Sequence, residues 1–373
     1  MHTLTEHGRL APVYDNHGPF ATVYLDTTRN TETGAREIEL RWAQVRADLQ
    51  AEGADDQTLA ALDVGIEADA NAPGRHGLVA VAAGGTLRLT DALAEPPARS
   101  TGRWAALPHL LPYLAQRATR LPHIVVVANR TGADILVVDA QDEHLEHVDG
   151  TSTYPLHRTA TADWSEKHFQ ARVENRWEQN AKDVAAAVSE HLAKSGAQLV
   201  LIAGDVRARH LIADALGNPA GVAVHTIAEG GRAAGSSSAA LERAVRGEVL
   251  REVWRQRHEV LDHLRTNLGR AEYAVAGVPA VVQALRMAQA DTVVISDDPA
   301  STLTAWAGPR ATEFGVDNAE AADLGVASPA HDRFDAALVR AVVGTGAQLV
   351  VTPGAHDYLE DGIGALLRYE TAS

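Results

Sequence analysis

The chain has no cysteine, only two methionines, three lysines (Lys167, Lys182 and Lys194) and no long apolar run. Each lack excludes something. Without cysteine there is no disulfide, no thiolate-bound zinc or iron–sulfur cluster and no cysteine nucleophile, and a cytoplasmic, reducing compartment is expected. Without an unbroken apolar stretch of about eighteen residues, no membrane-spanning helix is expected. The first thirty residues show neither a basic start nor an apolar signal core, so secretion is not expected either.

The scarcity of lysine leaves arginine carrying nearly all the positive charge, and arginine is the better residue for stacking and for two-point phosphate contact. Formal net charge is −16, from 49 acidic and 33 basic residues. That balance argues against a protein that coats nucleic acid non-specifically, because neutralising phosphates needs basic surface. No DNA partner is expected. A protein that touches RNA at a few tips stays open.

What is present is enough for several cores. At 373 residues and 46% hydrophobic, the chain should fold as two or three domains. The first segment, 1–119, opens with Phe20 to Leu25 as an alternating strand, followed by a polar turn from Asp26 to Gly34. A helix carries Ile38, Trp42, Val45 and Leu49, and Asp55 or Asp56 caps a second helix through Leu59, Leu62 and Ile66. Gly77–Ala83 and Thr86–Thr90 read as a hairpin across Gly84-Gly85, with 96–102 a surface loop.

The middle segment, 122–268, starts with three strands: His123–Ala128, Asp134–Val138 and Glu143–Val148. A polar loop over 149–168 runs into a long helix on which Phe169, Val173, Trp177, Ala181, Val184, Val188 and Leu192 fall three or four apart. Strand and helix alternate after that, then Gly230–Ser238 forms a linker and Ala239–Asn267 a long amphipathic helix. Residues 232–270 hold eight arginines against five acids, a face that i,i+4 ion pairs, such as Glu248 and Glu252 near Arg251 and Arg255, would neutralise. The third segment, 271–373, alternates helix and strand as an α/β/α sandwich and closes on Gly362–Tyr369, read as a turn and edge strand. Its helices are expected over Val278–Ala288 and Asp332–Val343. The fold class is therefore α/β of mixed α+β character in three domains.

Seventeen histidines invite a metal centre, yet no HExxH motif or tight His/carboxylate spacing occurs. His144 and His147 lie on opposite faces of a strand and cannot chelate together. No metal and no cofactor are expected. Gly84-Gly85 and Gly230-Gly231-Arg232 lack a full phosphate-loop pattern, and Ser236–Ser238 lacks a nucleophile elbow.

The loop is the stretch the rest is organised around. It holds Tyr154, His157, Arg158 and Asp163, and runs into Trp164, Lys167, His168 and Phe169 without apolar periodicity, so a buried element is excluded. A connection this long is usually functional or disordered. Asp163 with Glu166 resembles a capping box, so part of the stretch starts the helix.

The order of the segments resembles the archaeal and eukaryotic class-1 release factors and Pelota. Gly277-Val278-Pro279-Ala280-Val281-Val282-Gln283-Ala284-Leu285, Asp291 to Ile295 and Gly362 to Tyr369 look like their third, L7Ae-like domain. Three strands, a protruding loop and a helix with Phe169, Arg172 and Arg176 look like their second. The first segment looks, more loosely, like their codon-reading domain. Similarity is strongest to the bacterial branch of this superfamily, which includes the ribosome hibernation factor Balon. In the release factors the loop is tipped by Gly-Gly-Gln. This chain has no Gly-Gly-Gln; the matching loop carries Thr159-Ala160-Thr161-Ala162-Asp163-Trp164. Glycines let a backbone approach the ester and offer an amide to the developing oxyanion, and Asp163 would place negative charge where negative charge develops. Nor does the tip Thr28-Arg29-Asn30-Thr31-Glu32 spell Asn-Ile-Lys-Ser.

The resemblance thus implies a non-catalytic factor on the 70S ribosome, binding 16S and 23S rRNA in the vacant A site under stress. Arg29, Asn30, Thr31, Glu32 and Arg36 would lie near the decoding centre, with the 149–168 loop in the peptidyl transferase centre. Elongation factor Tu is a further implied partner. The alternatives are a release or rescue factor hydrolysing peptidyl-tRNA with help from His157 or His168, and a ribosome-independent adaptor that keeps only the fold.

Overall fold

The computed structural model describes residues 7–15, 18–31, 33–69, 74–129, 132–139, 143–149, 164–228, 238–323, 325 and 329–369, with backbone alone over 164–176. The chain divides into two compact units. One is formed by residues 119–256; the other joins 2–118 with 257–373. The second division falls inside a helix, because that helix gives successive stretches of its apolar face to different sheets.

In the first segment a short helix α1 (His7–Leu10) precedes β1 (Phe20–Asp26), α2 (Gly34–Ala51), α3 (Asp56–Asp69), β2 (Gly77–Ala83), β3 (Thr86–Leu93), β4 (Thr101–Ala105) and α4 (Leu111–Arg117). The sheet order is β3-β2-β1-β4, all antiparallel. Asp55 caps α3 as expected, accepting from the Thr58 amide at 2.9 Å. Gly84 and Gly85 turn the β2–β3 hairpin at φ 56° and 72°, the left-handed pair that a two-residue hairpin needs. The expected surface loop over 96–102 is corrected at its end: Thr101 and Gly102 already belong to β4. Gly102 sits against Val45 and Leu49, where a Cβ would clash, and so lets α2 close on the sheet. Ile38, Val45, Leu49, Leu59 and Leu62 fill that side.

The middle segment has β5 (His123–Ala128), β6 (Gly132–Val138), β7 (Glu143–Asp149), α5 (Trp164–Ser195), β8 (Leu199–Gly204), α6 (Val206–Leu216), β9 (Ala223–Thr226) and α7 (Ser238–Arg270). The order β7-β6-β5-β8-β9 combines an antiparallel meander with a parallel β5-β8-β9 run. Helices α5 and α6 cover one face through Ala181, Val184, Val188 and Ile212; Val253 of α7 packs with Val125, Leu199 and Leu201 on the other. The parallel strands read as near-continuous apolar runs because both faces are covered.

The third segment continues with β10 (Ala274–Ala276), α8 (Val278–Arg286), β11 (Ala290–Asp297), β12 (Thr304–Ala307), β13 (Phe314–Gly315), α9 (Asn318–Asp323), β14 (Ala330–Arg333), α10 (Phe334–Thr345), β15 (Gln348–Pro353) and β16 (Ile363–Leu367). Its main sheet runs β10-β16-β11-β15, between the end of α7 (Val260, Leu261, Leu264) and the helices α8 and α10. The α/β/α sandwich is present. The closing strand is not an edge: β10 pairs its free side through Ala274–Leu366 and Ala276–Gly364, so all five β16 residues are buried. The expected helix from Asp332 begins instead at Phe334, because Asp332 is held in β14 opposite Ala305.

The first and third segments share one core, in which Leu10, Val13, Phe20 and Leu110 pack with Phe334, Leu338 and Val342. A charged seam runs beside it. Asp332, whose side chain is fully buried, accepts from the Arg103 guanidinium and, at 2.8 Å, from the Leu107 amide. Asp335 takes Arg333 at 2.6 Å and His109 at 3.3 Å. Burial alone would raise the Asp335 carboxyl, but hydrogen bonds from His109 and Arg333 and their charges hold it far below the ordinary range.

Candidate functional site

Two stretches singled out in the sequence lie in different units. In the middle unit β7 and α5 flank the stretch over 150–163, which lies outside the described residues. Along β7 successive side chains alternate faces. Glu146 meets His191 of α5 at 2.5 Å, and the His144 ring lies 6.5 Å from that of His191. His147, on the opposite face, meets Asp134 of β6 at 2.5 Å. His191 thus ties α5 to β7, and His147 ties β7 to β6. Farther along, the Arg207 guanidinium lies 4.7 Å over the Trp177 ring, tying α6 to α5.

Tyr154, His157, Arg158 and Asp163 lie outside the described residues. Trp164, Lys167, His168 and Phe169 form the opening turns of α5, described as backbone. The expected capping box of Asp163 with Glu166 lies outside the described residues and side chains.

In the other unit the turn between β1 and α2 brings Arg29, Asn30, Thr31 and Arg36 together; Glu32 lies outside the described residues. The turn is strapped down by backbone. Arg29 and Gly74 exchange bonds at 2.8 and 3.2 Å, and the Gly34 amide donates to Thr31 O at 3.1 Å. Gly34 sits so close to Arg29 that a Cβ there would lie 3.1 Å from the Arg29 Cα. Arg41 donates to Asp26 O at 3.2 Å and to Glu37 at 3.1 Å. Burial would raise the Asp26 carboxyl, but hydrogen bonds from Thr28 and the Arg41 charge hold it below its ordinary value. Arg36 pairs with Glu39 at 2.8 Å, and both are well exposed, so the pair opens at little cost. The tip therefore presents exposed polar groups on a rigid base. Beside it, a groove between α2 and α3 is lined by Arg29, Ile38, Glu39, Trp42, Asp63 and Ile66.

No cluster of three or more His, Asp or Glu able to hold a metal occurs among the described residues. No described helix is long and apolar enough to cross a membrane. Gly230-Gly231-Arg232 and Ser236-Ser237 lie outside the described residues. The α7 acids do pair with these arginines, but three residues apart rather than four: Arg251 with Glu248 at 2.8 Å and Arg255 with Glu252 at 2.5 Å. Sequence reasoning missed Leu250 and Trp254 on the same helix, 39% and 46% exposed. The signal available was their spacing of four, off the apolar stripe.

Comparison with known proteins sets the class. Residues 122–270, from the start of β5 to the end of α7, match a sequence model of release-factor type. The particular model is that of the bacterial archaeo-eukaryotic release factor family 2, which the middle segment of this chain matches. The chain is also similar to the uncharacterized protein Rv2629 of Mycobacterium tuberculosis, 26% identical over 354 residues, which cover 94% of each chain. Among solved structures it resembles archaeal Pelota in a ribosome-bound model with ABCE1 (13% identity, 100% of this chain and 96% of that one, TM-score 0.42). Dom34 of S. cerevisiae is similar over 80% of this chain and 81% of its own, at 11% identity and TM-score 0.41.

Proposed function

We propose that this protein is a non-catalytic ribosome-binding factor that occupies the vacant A site and blocks the decoding and peptidyl transferase centres under stress. The single observation that carries the reading is a mismatch inside a family domain. The middle segment is of release-factor type, yet where such a domain would carry Gly-Gly-Gln the chain has Thr159-Ala160-Thr161-Ala162-Asp163-Trp164. β7 and the long α5 flank that stretch, and the sequence holds no Gly-Gly-Gln. Support without chemistry suits a part that fills a site.

In this reading Tyr154, His157, Trp164 and Phe169 stack on rRNA bases in the peptidyl transferase centre, while Arg158 and Lys167 meet phosphates. Arg29, Asn30, Thr31, Glu32 and Arg36 approach the decoding centre from the strapped turn. The third segment is L7Ae-like, and elongation factor Tu is a delivery partner. A net charge of −16 suits contact with RNA at a few local sites rather than over the whole surface.

The test is sedimentation with purified 70S ribosomes followed by release of labelled peptide from a stalled complex. Co-sedimentation with vacant ribosomes and no peptide release is the expected pair of results. Release by the wild type that His157→Ala abolishes would establish the hydrolytic alternative, and absence from the ribosome peak would establish the adaptor.

A further inference from the structure

The first half of α7, residues 238–256, turns its charges in an unusual way. At 100° per residue, Arg243, Arg246, Gly247, Leu250, Arg251 and Trp254 share one side of the helix. No acidic residue stands on that side between 243 and 255. The acids face the sheet instead: the Glu248 and Glu252 side chains are only 14% and 2% exposed. Glu248 reaches His225 of β9 at 3.4 Å. Burial opposes the charge on Glu252, but hydrogen bonds from Arg255 and Gln256 outweigh it and hold the carboxyl below its ordinary range. A solvated amphipathic helix usually mixes signs on its outer face. This one turns Glu248 and Glu252 away, leaves its exposed acid Glu242 outside the 243–255 stretch, and lines this side with arginine, in a chain of strongly acidic balance.

Two further features interrupt the arginines. Leu250 and Trp254, one turn apart, stand exposed at the centre of the side. Gly247 lies beside them in mid-helix, where glycine weakens a helix relative to alanine. The fold does not require it: a Cβ there would meet nothing nearer than Arg251 Nη2 at 3.8 Å, an ordinary contact. The bare backbone leaves a notch next to an exposed indole, between arginines.

We propose that this side of α7 is a docking surface for single-stranded RNA, with an unstacked base on Trp254, the sugar–phosphate chain passing over Gly247, and phosphates on Arg243, Arg246 and Arg251. Charge complementarity and the aromatic platform select the occupant: single-stranded nucleic acid is held by arginine along its backbone and by base stacking on aromatic rings. The surface deepens the ribosome reading, and rests on it for its setting, by adding an RNA contact outside the two tips.

The test is fluorescence anisotropy of labelled oligouridylate and oligoadenylate of about twelve nucleotides, a length in the range such sites cover. The probes are titrated with the full-length protein at several salt concentrations. Trp254→Ala should weaken binding about tenfold, the loss expected for one stacked base, and Trp254→Phe should restore most of it. Arg246→Glu should weaken binding and flatten its salt dependence. Gly247→Gln should weaken binding while the fold, followed by circular dichroism, is unchanged. Equal affinity of wild type and Trp254→Ala overturns the proposal, as does polyphosphate binding as tightly as RNA. Loss of ribosome co-sedimentation by Trp254→Ala with oligonucleotide binding intact also overturns it and points to a ribosomal protein. Failure of the wild type to sediment with ribosomes, with oligonucleotide binding as described, defeats the A-site reading and supports this surface.

Discussion

The seam between the first and third segments and the outer face of α7 use charge in opposite ways. At the seam Asp332 and Asp335 are buried, Asp332 matched by Arg103 and the Leu107 amide and Asp335 by Arg333 and His109, so the charges are spent holding two stretches of chain together. On α7 the carboxylates are matched and buried, while the arginines they pair with remain 70% and 51% exposed and look outward. The same ion-pair chemistry serves stability in one place and presents a surface in the other. The difference teaches where to look for function: at charge that the fold arranges but does not consume.

The comparison breaks most visibly at Asp332. Asp332→Ala leaves Arg103 and the Leu107 amide without their acceptor and should cost about 3 kcal/mol, the low end for a broken buried pair because Arg103 is itself 30% exposed. Urea denaturation reads it, and ribosome binding at low temperature should survive. Next is acid. The Asp335 carboxyl is depressed in the fold, so its contribution is fully present above the unfolded value of about 4 and is lost as pH falls below that toward the folded value. Urea midpoints between pH 6 and pH 3 should therefore fall more for the wild type than for Asp335→Asn.

On α7 the expected changes in stability are small and of either sign. Gly247→Ala should stabilise the protein by about 0.5–1 kcal/mol in thermal or urea melts, since the added methyl makes only an ordinary contact with Arg251. Trp254→Ala should leave stability within about 0.5 kcal/mol, because the indole is 46% exposed. A large loss at either position would show that the fold does consume this face, and the contrast with the seam would fail.

Much of the fold was legible because its strongest signals are local. The β2–β3 hairpin announced itself through Gly84-Gly85, the α3 cap through Asp55, and α5 through Ala181, Val184 and Val188 at helical spacing. What was hidden depended on partners distant in sequence. Three residues, Ala274–Ala276, are too few to show a strand period, yet they convert β16 from an edge into an interior strand. Thr101–Ala105 is half-buried and becomes a strand only by pairing with β1. Asp332 looked like the start of a helix until Arg103, more than two hundred residues earlier, was found to hold it in β14. The polar turn from Asp26 to Gly34 was visible in its Thr and Asn content, with α2 taking over at Gly34, so that Arg36 lies on the helix. The arginine count on α7 was visible too, but not that Glu248 and Glu252 turn inward, because that follows from where β9 sets His225.

The central claim is that a release-factor finger has kept its support and given up its chemistry. A density map of the protein on a vacant 70S ribosome tests it most directly. The account predicts the 149–168 stretch, with Trp164, inside the peptidyl transferase centre and the Arg29–Arg36 turn at the decoding centre of the same A site. Density for the protein elsewhere on the ribosome, with both centres open, would contradict it.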